Sequence, residues 1–117
     1  MRDAFVAKFT SAGTLAWATY CGGNSMEYGH GIATDDNTGD IYITGQTSSA
    51  NFPVLGGFQM TYGGVGDAFV VKLSPTGTKT WATYCGGSTM WEYGRGIATD
   101  NVGNVLITGF TASTDFP

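Results

Sequence analysis

The stretch "WATYCGG" at 17–23 returns unchanged at 81–87, and "DAFVAKF" at 3–9 returns as "DAFVVKL" at 67–73, both 64 positions later. Segments 3–23 and 67–87 agree at 14 of 21 positions. The match continues from 24–53 into 88–117 at 18 of 29 pairs, once Trp91 and Asp36 are taken as compensating insertions. Segment 54–66, "VLGGFQMTYGGVG", has no counterpart in the second copy. A chain that repeats itself in this way is constrained to stack one supersecondary unit on its own likeness, because a single unit cannot bury its apolar faces alone.

Each unit carries recurring strand signals. "GIATD" (31–35, 96–100) is short and small, and "IYITGQT" (41–47) or "VLITGFT" (105–111) follows across an Asn/Asp/Gly turn that supplies positive φ. "DAFVAKF" or "DAFVVKL" comes next, joined through "TSAGT" or "SPTGT" to "LAWATYC" or "KTWATYC". Pro75 suits position i+1 of a type I turn, with Gly77 at i+3. No window holds a 3.6-residue period with caps, so no helix is expected. The predicted architecture is all-β, each unit a four-stranded antiparallel meander, in one domain spanning 1–117. Residues 3–23 then form the last two strands of one unit, 31–85 a complete unit, and 96–111 the first two strands of a further one. Phe5, Ala7 and Phe9 on one side of their strand, with Ala4 and Val6 on the other, imply a sheet covered on both faces.

Near-identical meanders that are buried on both faces and small at the first strand fit radial packing about an axis, as the blades of a β-propeller. The string "DAFVAKF…WATYCGG…YGHGIATD…GDIYITGQTSSANFP" resembles the SBBP repeat, a bacterial and archaeal β-propeller family, over nearly the whole chain. That family usually carries Leu where Cys21 and Cys85 stand, an apolar-for-apolar exchange. The resemblance implies architecture and little chemistry. It makes "WATYCGG" the outermost strand of a blade with its exit turn, and Trp17 and Trp81 inter-blade packing residues. Cys21 and Cys85 occupy equivalent points and read as small buried hydrophobes in the same packing, not as a mutual disulfide. Burying one such Trp removes about 150–250 Å² from water and contributes roughly 4–6 kcal/mol before entropy.

Two blades cannot close a ring, since propellers need about four to eight. The first strand pair lacks its two partners and the last pair lacks the complementary two. Head-to-tail homo-oligomerisation is therefore expected, a trimer giving six blades or a tetramer eight, with the trimer preferred. The rival expectation is a segment of a longer propeller.

With five basic residues and a net charge of -4, the chain offers no footing for nucleic acid. No apolar run approaches the roughly 18 residues of a membrane span. No signal-peptide segment leads the sequence, and the parent protein is expected to be secreted or at a cell surface. There is no nucleophile motif, P-loop, dinucleotide fingerprint or His/Cys metal set, and "ATDDNTGD" (33–40) reads as a turn, so no cofactor and no metal are expected. The first functional reading is a non-enzymatic scaffold or interaction module. A second is a glycan or peptide receptor on the end bearing the long segments 24–31, 48–67 and 88–96, because loops on a rigid scaffold carry binding. There Glu27, Tyr28 and His30 correspond to Glu92, Tyr93 and Arg95, with Trp91 added, and His30 and Arg95 would alternate at the channel mouth of a ring. The plainer expectation is that Tyr28 and Tyr93 pack between blades and that the glutamates accept backbone hydrogen bonds. A third reading is a hydrolase at the ring mouth using Glu27, Glu92 and His30.

Overall fold

A computed structural model describes residues 1–117 as eight strands without a helix. These are β1 (Ala4–Phe9), β2 (Leu15–Cys21), β3 (Glu27–Thr34), β4 (Ile41–Thr47), β5 (Asp67–Leu73), β6 (Lys79–Cys85), β7 (Glu92–Thr99) and β8 (Val105–Thr111). They form a two-stranded sheet β1-β2, a four-stranded sheet β3-β4-β5-β6 and a second two-stranded sheet β7-β8, with every strand pair antiparallel.

Strong local signals place the hairpins. The β5–β6 turn closes through Gly77 N–H to the Ser74 carbonyl at 3.0 Å, with Gly77 at φ +87°, a left-handed conformation that glycine adopts without steric cost. β4 and β5 are central, buried along almost their whole length, and pair in register from Ile41↔Leu73 to Thr47↔Asp67. One apolar core runs from Val6 and Cys21 of the first sheet into Ile43, Phe69, Leu73 and Tyr84 of the second. Phe52 seals it, its ring stacked 4.8 Å from that of Phe69. Complete burial of a side chain of this size contributes about 3 kcal/mol, so the sheets are joined through their faces as well as by the chain.

The structure corrects two expectations. The innermost strands begin at Glu27 and Glu92, four residues ahead of the expected 31 and 96, so Glu27, Tyr28, His30, Glu92, Tyr93 and Arg95 lie on strands and not on loops. The glycines of "EYGHG" and "EYGRG" are not breakers. They flank β-bulges, between Gly29 and Gly31 and between Gly94 and Gly96, that leave His30 and Arg95 as the extra, unpaired residues. The long segment is also not a free binding loop, because it folds along the outer edge of β6. Leu55 and Ala82 exchange backbone hydrogen bonds at 3.0 and 2.9 Å, and Tyr84 N–H donates to the Gln59 carbonyl at 3.1 Å. An edge strand presents unpaired backbone groups, and this segment satisfies them.

Candidate functional site

The residues singled out by sequence converge on the junctions between sheets. Each junction is built on the fully buried first glutamate of an inner strand. Glu27 Oε1 accepts from Thr47 Oγ1 at 2.6 Å and Oε2 from Gly23 N–H at 2.8 Å. Glu92 repeats the pattern, accepting from Thr111 Oγ1 at 2.8 Å and from Gly87 N–H at 3.1 Å. These carboxylates tie the turn leaving one blade to the first hairpin of the next, with one such hydrogen bond to each oxygen. His30 is exposed on its bulge beside Tyr28, and its side-chain hydrogen-bond partner is Gln46 Oε1 at 3.5 Å, not either glutamate.

Above each glutamate rises a column of flat groups. Arg2 lies 5.8 Å over the Tyr28 ring and donates to its hydroxyl at 2.6 Å, while His30 lies nearly parallel to that ring at 6.3 Å. In the second column Trp91 stacks on Tyr93 at 6.0 Å, Tyr93 on Phe110 at 5.7 Å, and the Arg95 guanidinium lies 5.6 Å from the Tyr93 ring. Trp91 takes the place that Arg2 holds in the first column. It does so because Gly66 stands where the first copy has Arg2, and any side chain at Gly66 would meet the indole. Trp91 is therefore half-buried packing.

The outer strands carry the tryptophans. Trp17 reaches from β2 onto the β5–β6 turn, where its Nε1–H donates to the Pro75 carbonyl at 3.0 Å and its ring covers Gly77, whose Cβ, if present, would lie 2.8 Å from the indole. Trp81, its counterpart on β6, meets Tyr42 of its own sheet at 6.3 Å. Cys21 is buried in the shared core and Cys85 half-buried at the next junction, both as free thiols. Burial pushes both thiols above the usual range, with Asp67 and Glu92 adding to the effect at Cys85, which suppresses the reactive thiolate.

Sequence reasoning missed Asp67. This carboxyl is fully buried at the start of β5. Its Oδ2 accepts from Gln59 Nε2 at 3.0 Å and Gly63 N–H at 2.9 Å, and its Oδ1 has no hydrogen-bond partner. Oδ1 and Glu92 Oε2 lie 2.6 and 2.8 Å from the point a Gly86 Cβ would occupy, so two carboxylates face one another across the space of an absent side chain. Burial foremost, opposed by the Gly63 N–H and reinforced by Glu92, pushes the Asp67 carboxyl up to about 6. The available signal was its place beside "GGVG", in the position Asp3 holds in the first copy.

Comparison with known proteins agrees with this geometry. The chain is 26% identical over 132 aligned residues to an uncharacterized WD repeat-containing protein of Acanthamoeba polyphaga mimivirus; the match covers 92% of this chain and 9% of that protein. The chain thus spans a small fraction of that relative's length. The family profile of the SBBP β-propeller repeat matches residues 16–53 and again 80–117, each match running from an outermost strand across a junction and past the next blade's first hairpin. The chain belongs to the SBBP β-propeller repeat family.

Proposed function

We propose that this chain is a non-enzymatic propeller scaffold whose copies join head to tail, β8 of one pairing with β1 of the next. The observation that carries this reading is the contrast between sister strands. Phe69 and Leu73 of β5 are 0% and 2% exposed against β4, whereas the equivalent Phe5 and Phe9 of β1 are 74% and 62% exposed. β8, sister to the buried β4, is likewise open along its outer edge. The β4–β5 register, transferred, sets Val105 opposite Phe9 and Thr111 opposite Asp3 of a second copy. The groove between β1 and β3, of about 950 Å³, lies where the incoming β7–β8 hairpin would seat. Trp81 would then cover Gly13 of that copy, as Trp17 covers Gly77. Gly13 shares the left-handed backbone of Gly77, at φ +81°, and has no neighbouring atom within 4 Å of its Cβ position. A heterologous contact of this kind closes into a ring when the rotation permits.

Light scattering coupled to size-exclusion chromatography across a dilution series tests the proposal. A sharp species at three or four times 12.2 kDa is expected. A folded monomer, or a polydisperse ladder, would instead assign the open edges to further repeats of a longer polypeptide.

A further inference from the structure

The inner strands carry Arg95 and His30 at mid-length, each the fourth residue of an eight-residue strand. Arg95 and His30 hold the bulge positions of β7 and β3, and both are exposed. Arg95 shows what becomes of this position when a complete blade precedes it: the β3–β6 sheet packs against β7, and the guanidinium remains exposed. The same outcome follows for His30 once a second copy fills the groove beside it. No carboxylate forms an ion pair with either residue; the single ion pair of the chain joins Lys72 to Asp40 at 3.4 Å. Glu27 and Glu92 are buried in hydrogen bonds beneath the columns, Asp67 faces Glu92, Asp115 accepts from Ser88 at 2.5 Å, and Asp3 lies against Gly22. The exposed Asp36 and Asp100 belong to the far turns. A guanidinium laid on an aromatic ring and lacking an anion is oriented for two-oxygen recognition, and guanidinium groups converging on a channel axis focus the field that draws an anion in.

We propose that the channel lining formed by Arg95 and His30 binds a multiply charged oxyanion ligand, with phosphate, sulfate or carboxylate groups each taken by an Arg95. This rests on the assembly above, which brings one Arg95 and one His30 from every copy to a common axis. The assembled protein is titrated calorimetrically with inorganic tripolyphosphate and, in a parallel arm, with a sulfated disaccharide, to separate a phosphate source from an acidic-sugar one. Light scattering is recorded on the same samples.

Saturable binding to the ring is expected, weakened at least about tenfold by Arg95→Gln with the ring mass unchanged. His30→Gln gives a smaller loss. An intact ring that binds neither probe, or Arg95→Gln binding as tightly as the parent, overturns the anion site and leaves the assembly standing. A folded monomer that binds neither probe overturns both readings. A monomer whose binding still depends on Arg95 refutes the assembly and, with it, the shared channel site, leaving a contact made by one chain.

Discussion

Replacing Asp67 with Asn should stabilise this protein, because the native side chain is an acid held against its own ionisation. Asp67 is fully buried, its Oδ1 has no partner, and Glu92, buried and hydrogen-bonded, faces it across Gly86. Cys85, Tyr62 and Tyr84 are the other titratable groups whose protonation is coupled to Asp67. Its carboxyl rises from 3.8 to about 6, burial being the largest cause. The native state thus keeps a proton that the unfolded chain releases between pH 4 and 6. Stability falls as pH rises through that window and stays reduced above it, by about 2–3 kcal/mol. An asparagine keeps the acceptor for Gln59 and Gly63 and turns an N–H toward Glu92, removing the ionisation and adding a donor. Urea unfolding followed by tryptophan fluorescence from pH 4 to 8 measures both chains. The difference in unfolding free energy, variant minus parent, should grow with pH between 4 and 6 and level off at about 2 kcal/mol or more. A difference that is flat across the window, or a variant less stable at pH 8, would refute the reasoning.

Two further substitutions test the packing. Gly77→Ala should cost about 2–4 kcal/mol in urea midpoint analysis, from the left-handed backbone and from displacing the Trp17 ring. Gly13→Ala, with the same backbone sign and an open Cβ position, should cost only the backbone share in a separated chain, and as much as Gly77→Ala in an assembled ring. Equal costs in a monomer would refute the role given to Trp17. Tyr84→Phe should destabilise by about 1–3 kcal/mol, because the hydroxyl donates to the Ser49 carbonyl at 2.8 Å and accepts from Phe52 N–H at 3.1 Å in a buried site. A thermal midpoint unchanged in Tyr84→Phe would contradict that assignment.

The repeat itself determined the architecture. Strands β4, β5 and β6 have the bounds that "IYITGQT", "DAFVVKL" and "KTWATYC" suggest, since each is a run of β-branched and aromatic residues fenced by Gly, Asp or Asn, and such signals act within a few residues. The inner strands were legible only in part. In "EYGHG" the glycines look like loop, and only pairing with β4 shows that a bulge lets the strand continue to Glu27.

Tertiary structure alone decided the rest. Segment 54–66 has no periodicity to announce its course, and the unmet backbone groups of β6 draw it along that edge. Asp67 looked like the polar start of a strand, and its raised ionisation comes first from the burial that the stacked sheets impose, with Glu92 of the following blade adding to it across Gly86. The sequence by itself determined what repeats, because local propensity and turn chemistry are written residue by residue. What those repeats bury, and which groups they force together, depends on contacts that the chain makes only after its sheets have stacked.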